Sequence, residues 1–182
     1  MNLLSPTNCK RRPWLAWLAS GILLFAGCSS SEFKATREKA MSGDPQAQLD
    51  LGLMYLAGKV TKQSDAEAVK WCLKASDQGL PAALRVYGLM LRDGAGVPRN
   101  PAQGRQWLEK AANKGDVIAQ VELGSMLGLF SPPFEYVEAM KWLIIAERKG
   151  ATNAPAMIKL VTEQMSPAEL AQARAKADAF GK

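Results

Sequence analysis

The chain has 182 residues, 48% apolar and 22% charged, with a formal charge of +6. That is enough apolar material for a core and unlike a disordered chain. Histidine is absent from the sequence, which excludes Ser-His and Cys-His dyads and histidine metal sites.

In chain order, Lys10, Arg11 and Arg12 precede an uncharged apolar run from Trp14 to Phe25, then Ala26, Gly27 and Cys28. Charged, apolar, small is the order of a secretory signal. A helix over that run, at about 1.5 Å per residue, spans roughly 18 Å against a hydrocarbon core of about 30 Å, so a spanning anchor is disfavoured.

The segment Leu24-Phe25-Ala26-Gly27-Cys28, followed by Ser29-Ser30-Ser31, resembles the lipobox of bacterial lipoproteins, with Phe25 where that family usually has Leu. The resemblance implies cleavage of residues 1–27, lipidation of Cys28, a tether over 28–32 and a folded domain over 33–182. Two or three acyl chains make release from a bilayer negligible. Ser29 in place of the aspartate that retains many such proteins at the inner membrane implies the outer membrane, facing the periplasm. The alternative is an ordinary cleaved signal with an unmodified cysteine. Arg11-Arg12-Pro13-Trp14-Leu15 is similar to a twin-arginine signal, but the surrounding motif is incomplete.

Cleavage would leave 20 basic residues against 17 acidic, a net +3, too mild to argue for nucleic acid. It also leaves Cys72 as the free thiol. Beside Trp71 on a helix, that residue reads as a small buried hydrophobe.

From residue 43 onward the chain matches itself at a spacing of 36. Trp71 recurs as Trp107 and, one residue short, as Trp142; Gly43, Gly79, Gly115 and Gly150 keep the same beat, as do Ala47, Ala83 and Ala119, and Gly52, Gly88 and Gly124. A fixed period of this size predicts a stack of like units. First helices are expected after Gly43-Asp44-Pro45, Gly79-Leu80-Pro81 and Gly115-Asp116-Val117, where glycine ends one helix and proline suits the first turn of the next. Second helices are expected from Ser64-Asp65, Asn100-Pro101 and Glu135-Tyr136, the first two with a capping-box pattern. Glycine inside a helix costs roughly 1 kcal/mol. Three in register therefore predict close helix approach, with tryptophan filling the remaining volume between units.

The order Ala-x-x-x-Leu/Tyr-Gly in the first helix, with Trp-x-x-x-Ala and a closing Gly in the second, resembles the Sel1-like repeat, a relative of the tetratricopeptide repeat. It covers residues 43 to about 160. The loop Gly94-Ala95-Gly96-Val97-Pro98 fits that family's Gly-x-Gly-Val signal; Gly58-Lys59-Val60 fits it loosely, and Phe130-Ser131-Pro132-Pro133 does not. The implied fold is an all-α solenoid of about three antiparallel helix pairs with capping helices. Phe33 to Met41 would form the first cap. Beyond unit three, Ala154 is kept but Lys159 stands where the others place the helix glycine, and Ser166-Pro167-Ala168-Glu169 would start a last helix reaching Phe180. Atypical ends are expected of a solenoid.

Met54, Met90 and Met126 repeat in phase and are expected in the core. Lys70, Lys74, Glu109, Lys110 and Lys114 are expected on a solvated outer face. The positions that change between units are the candidate partner-binding residues: Asp50, Val86 and Glu122, with Leu53, Leu89 and Ser125. In tetratricopeptide-type solenoids first helices line a concave surface, so the resemblance implies a peptide or helix partner there. Phe130, Phe134 and Tyr136 replace the glycine loop of unit two; they either form an apolar contact site or tuck in to close the gap left by one missing residue.

The functional expectation is a lipid-anchored envelope adaptor that binds a protein partner, with no cofactor, metal or catalytic residue implied. Asp50 and Glu122 lie in different units without a partnering motif for acid–base work. Alternatives are a peptidoglycan- or polysaccharide-associated lipoprotein, or an enzyme or binder for cell-wall material or β-lactams. Sel1-like proteins linked to β-lactams carry paired cysteines in each repeat, unlike this chain.

Overall fold

The computed structural model describes residues 30–58, 63–130 and 132–180; the signal segment and Cys28 lie outside them. Among the described residues there are helices and connections and no strand: α1 (Ser30–Met41), α2 (Pro45–Ala57), α3 (Asp65–Asp77), α4 (Pro81–Asp93), α5 (Pro101–Asn113), α6 (Val117–Ser125), α7 (Tyr136–Arg148), α8 (Ala154–Thr162) and α9 (Pro167–Ala179). A π turn, Met126–Phe130, prolongs α6. The pairs α2/α3, α4/α5 and α6/α7 are the three units, and from α1 to α8 each helix packs on the next.

The starts follow local chemistry. Asp44 accepts from the Ala47 amide at 2.6 Å and Asp116 from Ala119 at 2.7 Å, each satisfying an orphan N–H at a first helix. Ser64 and Asn100 cap α3 and α5 by accepting from Glu67 and Gln103. The reciprocal half of a capping box is present at Ser166 and Glu169, which start α9. The helix α1 begins at Ser30, ahead of the expected Phe33, and places Glu32 in its first turn, where a carboxylate suits the helix dipole.

Inside each unit the first-helix glycine lies over a small residue of the second helix: Gly52 over Ala68, Gly88 over Gly104, Gly124 over Ala139. A Cβ at Gly124 would stand 2.7 Å from Leu143 Cγ and 3.0 Å from the Ala139 carbonyl oxygen, closer than side chains tolerate. Trp71 is buried in a cluster with Ala40 of α1, Ala47 and Leu51. Trp142 is buried too, with its ring 5.2 Å from that of Phe180, edge to face. Trp107 is only half-buried and meets Tyr87 of its own unit at 5.2 Å. Lys74, Lys110 and Lys141 hold their ammonium groups 4.5, 4.3 and 4.2 Å from the three indole centroids, so outer-face lysines also shield the rings. Met54, Met90, Met126 and Cys72 are buried.

The C-terminal cap departs from the repeat. Helix α9 turns away from α8 and packs on α7, held there by the Lys176–Glu138 ion pair and by Arg148–Asp178 at 2.6 Å. Lys159 stands in α8 at the register that Gly52, Gly88 and Gly124 hold in the three units, and α9 does not pack closely on α8.

Candidate functional site

Period and helix geometry put Asp50, Val86 and Glu122, and Leu53, Leu89 and Ser125, at matching positions of α2, α4 and α6. Their exposure does not match. Asp50, Leu53 and Glu122 are half-buried, whereas Val86, Leu89 and Ser125 are 1%, 4% and 8% exposed. Val86 packs among Leu49, Leu56 and Met90, while Leu89 joins the C-terminal core. Val86 and Leu89 of α4 and Ser125 of α6 are buried, so of the six only Asp50, Leu53 and Glu122 offer surface on this face.

Electrostatics separates the two acids further. Arg92 Nη1 donates to Glu122 Oε2 at 2.9 Å and Arg92 Nε to Asp93 Oδ1 at 2.8 Å, so Glu122 is already matched. Asp50 accepts from the amide of Gln46 at 2.9 Å. Burial lifts its carboxyl above the ordinary range; the Gln46 bond opposes this, and repulsion from Asp44 adds to it. A half-buried carboxylate with one neutral donor is under-compensated.

Cross-unit polar stitches carry no motif in the sequence. Arg85 Nε donates to Asp116 at 3.1 Å, with both side chains nearly buried. Arg105 Nη2 donates to Glu135 Oε2 at 2.9 Å; within unit one, Gln78 donates to Gln48 at 2.8 Å and to the Gly43 carbonyl at 3.0 Å. A spacing of 30 or 31 between a donor side chain and an acceptor in the next unit is the signal that finds Arg85, Arg92 and Arg105.

The aromatic loop divides between the two expectations. Tyr136 and Leu129 pack on the core, while Phe130 is 72% and Phe134 44% exposed. Phe134 stacks on Tyr136 at 5.7 Å. At the other end, a cavity of about 340 Å³ opens between α8 and α9 over Met140 and Ile144. No group of His, Cys, Asp and Glu among the described residues could hold a metal ion, and none of their helices is long and apolar enough to cross a membrane.

The family model of the Sel1 repeat matches residues 45–80, 81–116 and 117–150, together more than half of the chain. The chain belongs to the Sel1 repeat family. These borders coincide with the three helix pairs. Among solved structures it is similar to a protective antigen of uropathogenic Escherichia coli described as displaying an SLR fold, with a TM-score of 0.76, 28% identity and coverage of 92% of this chain and 36% of that one. It is also similar to a Sel1 repeat protein of Oxalobacter formigenes, with a TM-score of 0.69, 26% identity and coverage of 84% and 65%. Among curated proteins it is 30% identical over 121 residues to the chitin synthase regulator of Malassezia restricta, over 65% of this chain and 8% of that protein. The chain thus spans a small fraction of that curated relative's length.

Proposed function

We propose that this Sel1 repeat protein is a non-catalytic scaffold, acylated at Cys28 and seated in the outer membrane facing the periplasm, that holds a protein partner on the first-helix face of its first unit. Asp50 carries the reading. Its carboxylate sits beside Leu53 with Gln46 as its donor, while the equivalent Glu122 is closed by Arg92. A partner segment presenting a basic or amide donor next to an apolar side chain completes that contact. The solenoid gives such a segment an extended surface, and repeat domains of this kind bind peptides and helices along first-helix faces. A relative named as a regulator of an enzyme supports a role exerted on another protein.

A photo-cross-linking residue at Leu53, introduced in living cells, is expected to give a discrete adduct with one protein. The same residue at Lys110, on the outer face, is expected to give none. Asp50→Lys should cut the Leu53 adduct at least tenfold, and an adduct insensitive to that charge reversal rejects the face. The anchor is tested separately: fatty-acid label should be present in the wild type and absent in Cys28→Ser.

A further inference from the structure

The aromatic loop of unit three lies on the same edge of the stack as the N-terminal end of α1. Successive helices alternate in direction, so α1, α3, α5 and α7 all start on this edge. Contacts tie neighbouring elements together along it. Phe33, in the first turn of α1, meets the ring of Tyr55 near the end of α2 at 5.9 Å. The Ser64 amide, at the start of α3, donates to the Tyr55 carbonyl at 3.2 Å. Gly96, in the loop of unit two, lies so close to the start of α3 that a Cβ there would stand 2.7 Å from Asp65 Cβ. Arg105, in the first turns of α5, holds Glu135 at the start of α7, and the Glu135 amide donates to the Leu127 carbonyl at 2.9 Å.

On this edge Phe130 and Phe134 project into solvent, next to the exposed Pro132 and Pro133. From Leu123 to Phe134 the chain carries no charge. Acids on this edge carry partners: Glu135 and Glu109 pair with Arg105, Glu138 with Lys141, and Asp93 with Arg92. Exposed phenylalanines grouped in one uncharged loop mark a contact surface, and phenylalanine is among the side chains that surface-bound segments bury at the headgroup boundary. Ser30, where α1 begins, is two residues after Cys28. At about 3.3–3.6 Å per residue, two residues reach at most about 7 Å from an acylated cysteine to this edge.

We propose that Phe130 and Phe134 form a second membrane contact, seating in the lipid interface and laying this edge of the solenoid along the bilayer that holds Cys28. The inference rests on the acylated-anchor reading under Proposed function. It fixes an orientation: the connections that join one unit to the next, such as residues 149–153, point away from the membrane, and the first-helix face stands roughly upright beside the bilayer, open to a partner.

The experiment uses the full chain, exported and processed in cells, purified and reconstituted into phosphatidylethanolamine–phosphatidylglycerol vesicles containing a lipid with a shallow nitroxide quencher. Acylation blocks Cys28 and burial shields Cys72, so a bimane label can be directed to Phe134→Cys or, on the opposite edge, to Thr152→Cys. Lipid quenching at 134 is expected to exceed that at 152 at least threefold. Adding Phe130→Ser should bring it down towards the level at 152, while the acyl anchor keeps the protein on the vesicles. Both positions are exposed, and circular dichroism on each variant checks the fold. Equal quenching at 134 and 152 on an acylated protein overturns the proposal and leaves the anchor standing. So does a concentration-dependent blue shift at 134 without lipid quenching, which would mean that another copy of the chain covers the loop. An intact mass without acyl chains overturns the anchor and this proposal together.

Discussion

Gly88 and Gly104 face each other across α4 and α5 at backbone distance. A Cβ on Gly104 would stand 2.6 Å from the Gly88 carbonyl oxygen and 2.9 Å from the Arg92 amide nitrogen, and a Cβ on Gly88 would stand 3.0 Å from the Gly104 carbonyl oxygen. Backbone cannot step aside as a side-chain tip can. Alanine would gain about 1 kcal/mol of helix propensity, but overpacking costs typically about 1–3 kcal/mol. Gly104→Ala is expected to destabilise by about 1–2 kcal/mol, more than Gly88→Ala. At Gly52 the nearest obstacle to an added Cβ is Cys72 Sγ, which would lie 2.6 Å from it. Adding Cys72→Ala should therefore recover part of the Gly52→Ala loss, whereas no comparable side chain can be removed at Gly104. Urea unfolding of the four variants decides this, and a Gly104→Ala protein more stable than wild type would remove close approach as the reason for that glycine.

Acid should loosen the C-terminal half first. The hydrogen bond from Arg105 holds the Glu135 carboxyl below the usual range. For Glu138, burial pushes the other way, but bonds from Lys141 and Lys176 prevail and its carboxyl is also lowered. Carboxylates with lowered native values contribute stability above their unfolded pKa and lose it as pH falls through the native value. The window therefore opens near the ordinary 4.5 and extends downward. Because these pairs are about a third exposed, each is screened and contributes at most about 1 kcal/mol. Melting temperature should fall more steeply below that pH in wild type than in Glu135→Gln/Glu138→Gln, and parallel curves would remove the two acids from the account.

Cys72 should be chemically silent. It is fully buried, and burial pushes its thiol up to about 12, so thiolate is scarce at neutral pH and reagent access needs opening of the α2/α3 pair. In a Cys9→Ser/Cys28→Ser chain, maleimide labelling at pH 7 is expected to be at least a hundredfold slower than in urea. Rapid native labelling would show that α2 and α3 separate readily.

The repeat, its helix borders and the core methionines were legible because each rests on periodicity and on local end chemistry: Asp44, Ser64, Asn100 and Ser166 announce helix starts within three residues of themselves. What could not be read was which copies of one register stay open. Val86 and Leu89 match Asp50 and Leu53 in phase, yet burial depends on how flanking first helices close over the middle unit, a property of the stack and not of any one helix. The position of α9 on α7 escaped for the same reason. Of its pins, Arg148 to Asp178 keeps the spacing of 30 seen in the cross-unit pairs, but Lys176 to Glu138 spans 38 residues and follows no such spacing.

Asp50→Asn should move stability and binding in opposite directions. A raised native carboxyl means that the charged form is disfavoured by folding, so above that native value the ionised Asp50 subtracts from stability. Protonation relieves the cost as pH falls through it. Asparagine keeps an oxygen that can accept from Gln46 and carries no charge. At pH 7 the variant is expected to be more stable than wild type by less than about 1 kcal/mol, a half-exposed group being partly screened. That advantage should vanish below the ordinary 3.8 of an aspartate, where both states of the wild type are protonated. The same change removes the anion that a basic partner group would meet, so the adduct formed at Leu53 should weaken several-fold while the fold tightens, as expected when a functional site retains an unfavourable charge. A variant less stable at pH 7, or one whose adduct is unchanged, would show that Asp50 serves the fold and not the partner.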